Sequence, residues 1–245
     1  MPTIRVINPN TTASMTAKIG AAAHAVAAPG TVIEAVNPDM GPASIEGFYD
    51  EALSLPGLLT EIAKGEQSGT AGHVIACFDD TGLDAARSLA QAPVVGIGEA
   101  AFHLASLVAG RFAVVTTLAR SIAAIEANLV RYGLATRCAR VRAAEVAVLA
   151  LEEQDSPARE KISAEIARAV SEDRAEAVVL GCAGMADLAA DLSREHGVPV
   201  IDGVAAAVKL VEALAALGLR TSKAGAYASP LPKAYAGMLT GFAPR

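Results

Sequence analysis

The sequence predicts an α/β protein built from two small parallel-sheet units, each with four strands and flanking helices. Two observations carry the prediction. Short β-branched runs alternate with Ala- and charge-rich segments of helical length along the whole chain, which is the pattern of strand–helix–strand crossovers. The second observation is an internal duplication. The apolar runs His73–Cys77 and Val178–Cys182 each end in a cysteine, pass through a Gly-bearing turn into an Ala-rich stretch, and reach a Pro-Val strand. That strand is Pro93–Gly96 in the first half and Pro199–Asp202 in the second. The cysteines are offset by 105 positions and the prolines by 106. A third pair, Arg5–Asn10 against Phe112–Thr117, fits the same shift. Eight β/α repeats in this length also suit a single barrel, but a period of half the chain favours two units.

Strands are expected in order at Thr3–Asn8, Thr31–Val36, His73–Cys77 and Pro93–Ile97, then at Arg111–Thr116, Arg137–Arg142, Ala175–Gly181 and Val198–Ile201. All but Arg137–Arg142 are short runs enriched in Val, Ile, Leu or Thr. Helices are expected between them over Met15–Ala28, Asp84–Ala90, Ser121–Tyr132, Ala158–Val170 and Leu188–His196. The first unit then comprises residues 1–97 plus 211–245 and carries Cys77; the second comprises 98–210 and carries Cys182. Helix Glu99–Gly110 crosses between them. The tail from Gly218 onward, interrupted by Pro230 and Pro232, is expected to return and brace the first unit.

Composition narrows the function. At 245 residues and 53% hydrophobic, the chain has ample apolar material for a core. A formal charge of −6, few aromatics and no Trp argue against a nucleic-acid partner. The apolar stretch Gly203–Leu217 contains Lys209 and Glu212 and reads as a core helix, so no membrane partner is expected. Three irregularly spaced cysteines make neither a disulfide framework nor a Cys-x-x-Cys metal pair, and free thiols suit a reducing cytoplasm. An apolar run broken by Asn8, Pro9 and Asn10 does not read as a signal peptide.

Ligands of open parallel sheets bind beyond the carboxyl ends of the strands. Both Cys77 and Cys182 fall at such ends just before a helix, where backbone N–H groups favour negative charge and lower a thiol's pKa. Asn10, Thr116 and Thr117 end equivalent strands and would line the same crevice, whereas Thr11 or Thr12 suits a helix N-cap. The matched positions suggest one thiol supplied by each half to a shared cleft.

The runs Ile7–Thr12, Gly41–Gly47, Ala76–Asp80, Val114–Thr117, Leu180–Met185 and Gly218–Lys223 carry a resemblance over nearly the whole length of the chain. The chain resembles the hydantoin racemases of the aspartate/glutamate racemase superfamily. That resemblance implies two flavodoxin-like α/β lobes related by pseudo-twofold symmetry, an active site between them, no cofactor and a homo-oligomer. It implies that Cys77 and Cys182 are the two acid/base residues for racemisation of 5-monosubstituted hydantoins. It also points to Ser44, Phe78, Asp79, Asp80, Ala183, Gly184 and Met185 as substrate contacts, and to Ile45 as packing against the substrate side chain. Amino-acid racemases of the superfamily follow the two cysteines with Asn-Thr and Thr-His, which grip charged groups. Here Phe78-Asp79 and Ala183-Gly184 stand instead, which suits a neutral ring held by backbone amides. Allantoin, itself a 5-ureidohydantoin, is the closest rival substrate. Maleate isomerisation, a two-lobed binding protein and a redox thiol pair are the further alternatives. Many relatives read Gly-Asp-Pro where this chain has Asp79-Asp80-Thr81. The extra carboxylate would raise the Cys77 pKa unless it caps a helix, and capping is expected.

The remaining reactive side chains read as ordinary. Cys138 has no repeat partner and is expected to be structural. His24, His73, His103 and His196 are dispersed, and none pairs at metal-ligand spacing. The cluster Glu152–Asp155 precedes a helix, where acidic residues favour the dipole. Phe48 and Tyr49 are expected in the core.

Overall fold

Thr3–Ile7 forms β1, a Val/Ile strand buried after its first residue. It lies inside a parallel sheet in the computed structural model, which describes residues 1–153 and 156–244. Its neighbours are β2 (Val32–Val36) and β3 (Gly72–Ile75), and β4 (Val94–Gly96) lies beyond β3, giving the order β2-β1-β3-β4. The second half repeats the plan with β5 (Phe112–Thr116), β6 (Cys138–Ala143), β7 (Ala177–Gly181) and β8 (Val200–Ile201), in the order β6-β5-β7-β8. Every pair is parallel. Two separate sheets of matching order bear out the two-unit prediction and remove the single barrel.

The sheet pairing corrects the duplication at one point. Ile7 faces Ile75 in the first sheet, and Val115 faces Leu180 in the second. Ile75 and Leu180 are 105 positions apart, so the counterpart of Ile7 is Val115, one residue beyond the match read from sequence. The reason is burial on both faces. All of β5 and β7 is inaccessible, so no alternation of apolar and polar residues marks the register.

Helices cover both sheets: α1 (Ala13–Val26), α2 (Phe48–Ser68), α3 (Leu83–Leu89), α4 (Ile97–Val108), α5 (Ile122–Arg131), α6 (Ala158–Ser171), α7 (Ala189–His196) and α8 (Gly203–Ala216). α2 is not among the elements the sequence predicts. Pro56 lies inside it, yet Leu58, Ile62 and Gly65 recur on one face and bury against the sheet. Its first turn points outward, so Phe48 and Tyr49 are 65% and 78% exposed and do not belong to the core. Gln154 and Asp155 of the acidic cluster lie outside the described residues.

One hydrophobic core runs through both units. Val6 and Val74 of the first sheet and Val114 and Val179 of the second pack with Phe102 of α4 and Val204 and Val208 of α8. Phe102 stacks on Phe112 at 6.1 Å and meets Phe78 edge-on at 5.4 Å. The expected boundary between residues 210 and 211 falls within α8. The tail folds back: Thr221 bonds to Gln91 and Ala92, Lys223 donates to the Arg87 and Ser88 carbonyls, and the Tyr227 hydroxyl donates to Asp84. Among the described residues no helix is long and apolar enough to cross a membrane.

Candidate active site

Cys77 follows β3 and Cys182 follows β7 directly, each at the carboxyl end of its sheet. Both are free thiols, and both line one narrow cavity of about 40 Å³ between the lobes. The backbone N–H of the residue two positions on, Asp79 for Cys77 and Gly184 for Cys182, works to lower each thiol's pKa. The strand-end amides act in the expected direction, but the net shift of both thiols is upward. Burial dominates, pushing Cys182 up to about 11 against the Gly184 N–H. It pushes Cys77 further still, with the Asp79 carboxylate adding to the effect.

The turn after Cys77 is tightly specified. Asp80 adopts a left-handed conformation with φ 51°, uncommon for a residue with a side chain. Its carboxylate offsets that strain by accepting the N–H groups of Gly98 at 2.9 Å and Glu99 at 2.7 Å, at the start of α4, and the Tyr132 hydroxyl at 2.7 Å. A Cβ on Gly98 would strike the Phe78 carbonyl and this carboxylate, so glycine is required there. Burial pushes the Asp80 carboxyl up to about 7 against those three donors. The carboxylate that caps a helix is therefore Asp80, acting on the distant α4.

Asp79 departs from the capping expectation. Its side chain forms no hydrogen bond among the described residues, and it is the one charged side chain on the cavity wall. Burial, then Glu51 and Asp80, raise its carboxyl to about 7. Glu51, in the first turn of α2, is itself raised by burial and has one buried oxygen without a partner.

The other predicted positions divide by placement. Asn10, Ile45, Phe78, Thr117 and Ala183 line the cavity with the two cysteines. Thr116 lies behind it, its hydroxyl donating to the Gly181 carbonyl at 3.1 Å. Met185 is fully buried in the second lobe's core, Gly184 is buried beside the Cys182 sulfur, and Ser44 sits half-buried outside the cavity wall. Sequence reasoning missed Asn8, Met15, Ser121 and Val148, which also line the cavity. Asn8 was legible only as part of the Asn-Pro-Asn run: its amide donates to Asn10 at 2.8 Å and Thr16 at 3.0 Å, holding the loop after β1. Thr12 occupies the α1 N-cap position, but its hydroxyl donates to the Ala43 carbonyl at 2.7 Å, while the Asn10 side chain accepts the Thr12 N–H. The two threonines tie the Pro42–Ala43 loop to the site instead of capping. Cys138 starts β6 away from the cavity, with burial raising it to about 11. Among the described residues no three His, Cys, Asp or Glu side chains gather as a metal site.

Comparison with known proteins places this geometry. Residues 4–211 match the family described as Asp/Glu/Hydantoin racemase. The chain is 52% identical over 234 residues to a hydantoin racemase of Rhizobium meliloti, covering 96% of this chain and 97% of that one. It is 49% identical over 239 residues to a hydantoin racemase of Pseudomonas sp. strain NS671, covering 98% and 96%. Among solved structures, an allantoin racemase from Klebsiella pneumoniae superposes with a TM-score of 0.97 at 53% identity, covering 100% of both chains. The chain belongs to the Asp/Glu/Hydantoin racemase family and is an isomerase of the racemase type.

Proposed function

We propose that the protein racemises 5-monosubstituted hydantoins without a cofactor, using Cys77 and Cys182 as a thiolate/thiol pair on opposite faces of the ring. The observation that carries this reading is the meeting of the two free thiols, from equivalent strand ends of two lobes, in one cavity. Inversion at carbon requires a proton to leave one face and another to arrive on the opposite face. One sulfur starts as thiolate and takes the C5 proton; the other starts as thiol and returns one. The adjacent carbonyl acidifies C5, so the remaining barrier is the negative charge on the enolate oxygen. Backbone N–H donors at the strand ends suit that charge, and one such donor contributes about 3–4 kcal/mol in comparable sites.

The hydantoin racemases among the relatives support a cyclic ureide as substrate. The K. pneumoniae allantoin racemase, equally similar, supports a second reading in which the 5-substituent is a ureido group. Asp79 favours that reading, because a carboxylate on the cavity wall is a partner for the ureido N–H groups. The test is loss of optical rotation with 5-alkylhydantoins, allantoin and glutamate side by side, in the presence of chelator. Racemisation of a hydantoin and none of glutamate is expected. Full inhibition by chelator, restored by metal, overturns the two-thiol reading.

A further inference from the structure

The two sulfurs of the cleft are held by different means. Of the two, and among the described residues, Cys77 alone has a side-chain donor, the Thr81 hydroxyl at 3.3 Å. Thr81 is 3% exposed, and this is the one hydrogen bond its hydroxyl makes among the described residues. The turn geometry enforces the contact. Left-handed conformations at Asp80 and Gly82 reverse the chain, and the three donors on Asp80 anchor it, so a side chain four positions after Cys77 returns over the sulfur. A thiolate accepts a hydrogen bond far better than a thiol does. Cys77 is also the sulfur in greater need of a donor. Asp79 and Glu51 both oppose its ionisation, whereas at Cys182 Lys18 works against the acidic neighbours.

We propose that Thr81 is a positioning residue, whose hydroxyl fixes the Cys77 sulfur toward the cleft and stabilises its thiolate, a task with no side-chain counterpart at Cys182 among the described residues. The inference rests on the two-thiol reading for its place in the reaction, but its test reads the sulfur itself. Thr81→Val keeps the volume and removes the donor; Thr81→Ser keeps the donor. The full-length proteins are alkylated with iodoacetamide from about pH 6 to about pH 11, with Cys77 and Cys182 followed separately by peptide mass, and folding is checked by thermal denaturation.

In Thr81→Val the Cys77 profile is expected to move up by about one pH unit, roughly a tenfold loss of alkylation at fixed pH, as suits one hydrogen bond to a charged acceptor. The Cys182 profile stays in place, and Thr81→Ser follows the wild type. Should Thr81→Val fail to fold, Thr81→Ala, which only removes atoms, serves the same comparison. A Cys77 profile unmoved in the donor-free variant, or moved equally with that of Cys182, overturns the proposal. Absence of racemisation by the wild type sinks the proposed function and leaves this shift intact as a property of the sulfur.

Discussion

Replacing Asp79 by Asn should stabilise the protein, and by an amount that depends on pH. The folded chain raises this carboxyl from 3.8 to about 7, chiefly by burial. The unfolded chain ionises it near its ordinary value, so between those limits the folded state holds a proton that the unfolded state releases. Stability from this group is full below about pH 4 and is lost as pH rises through about 7. A displacement of about three units at roughly 1.4 kcal/mol each gives a cost of at most about 4 kcal/mol above pH 7. Solvent in the cleft and the neighbouring Asp80 reduce what is measured to about 1–3 kcal/mol, or roughly 2–10 °C in Tm for a chain of this size. Asn keeps the shape and removes the ionisation. Thermal and urea denaturation of both proteins at pH 8 and pH 5 should show a gain for Asp79→Asn at pH 8 that shrinks by more than half at pH 5. Removing the charge also lets Cys77 ionise at lower pH, which alkylation detects. A variant that is no more stable at pH 8, or whose gain is the same at both pH values, refutes the claim that Asp79 is held at an electrostatic cost.

Three further outcomes follow from the site. Because burial places Cys182 at about 11 and Cys77 higher, the thiolate is scarce at neutral pH, and kcat/KM for racemisation should climb by up to about tenfold per pH unit above pH 7; a profile falling in that range contradicts a thiolate base. Asp80→Ala leaves the Gly98 and Glu99 N–H groups and the Tyr132 hydroxyl without their acceptor and should cost about 2 kcal/mol or more in urea denaturation, with Asp80→Asn milder. Cys138→Ser should keep turnover within a small factor of wild type, and substrate should protect Cys77 and Cys182 from alkylation but not Cys138; inactivation that tracks Cys138 alone would put the site elsewhere.

The strands and most helices were legible because β-branched runs and Ala-rich spacing are local signals, and the duplicated cysteines marked the cleft before any geometry was known. α2 was not legible. Pro56 and the glycines within it break the local pattern, and only burial of Leu58 and Ile62 against the sheet makes the segment a helix. Phe48 and Tyr49 were misplaced for the same reason, since a side chain's facing follows from the helix that carries it. The sequence flagged Asp79-Asp80-Thr81 as unusual but could not divide the labour among them. That division depends on φ at Asp80 and on Gly98 and Tyr132, distant in sequence and adjacent only in the fold. The raised thiols were missed because burial is a tertiary property that outweighs the local N–H donors.

The proposed reaction needs two thiols acting from opposite faces, and single-thiol variants in deuterated water separate their roles. Cys182→Ser and Cys77→Ser, each incubated with the separate enantiomers of a 5-alkylhydantoin, are followed by optical rotation and by mass. Neither variant should racemise, because a serine hydroxyl is too weak an acid to exchange roles with a thiolate, and each should at most exchange the C5 proton of one enantiomer, a different one for each variant. Racemisation at the wild-type rate by either variant would show that one sulfur suffices and would contradict the two-base site.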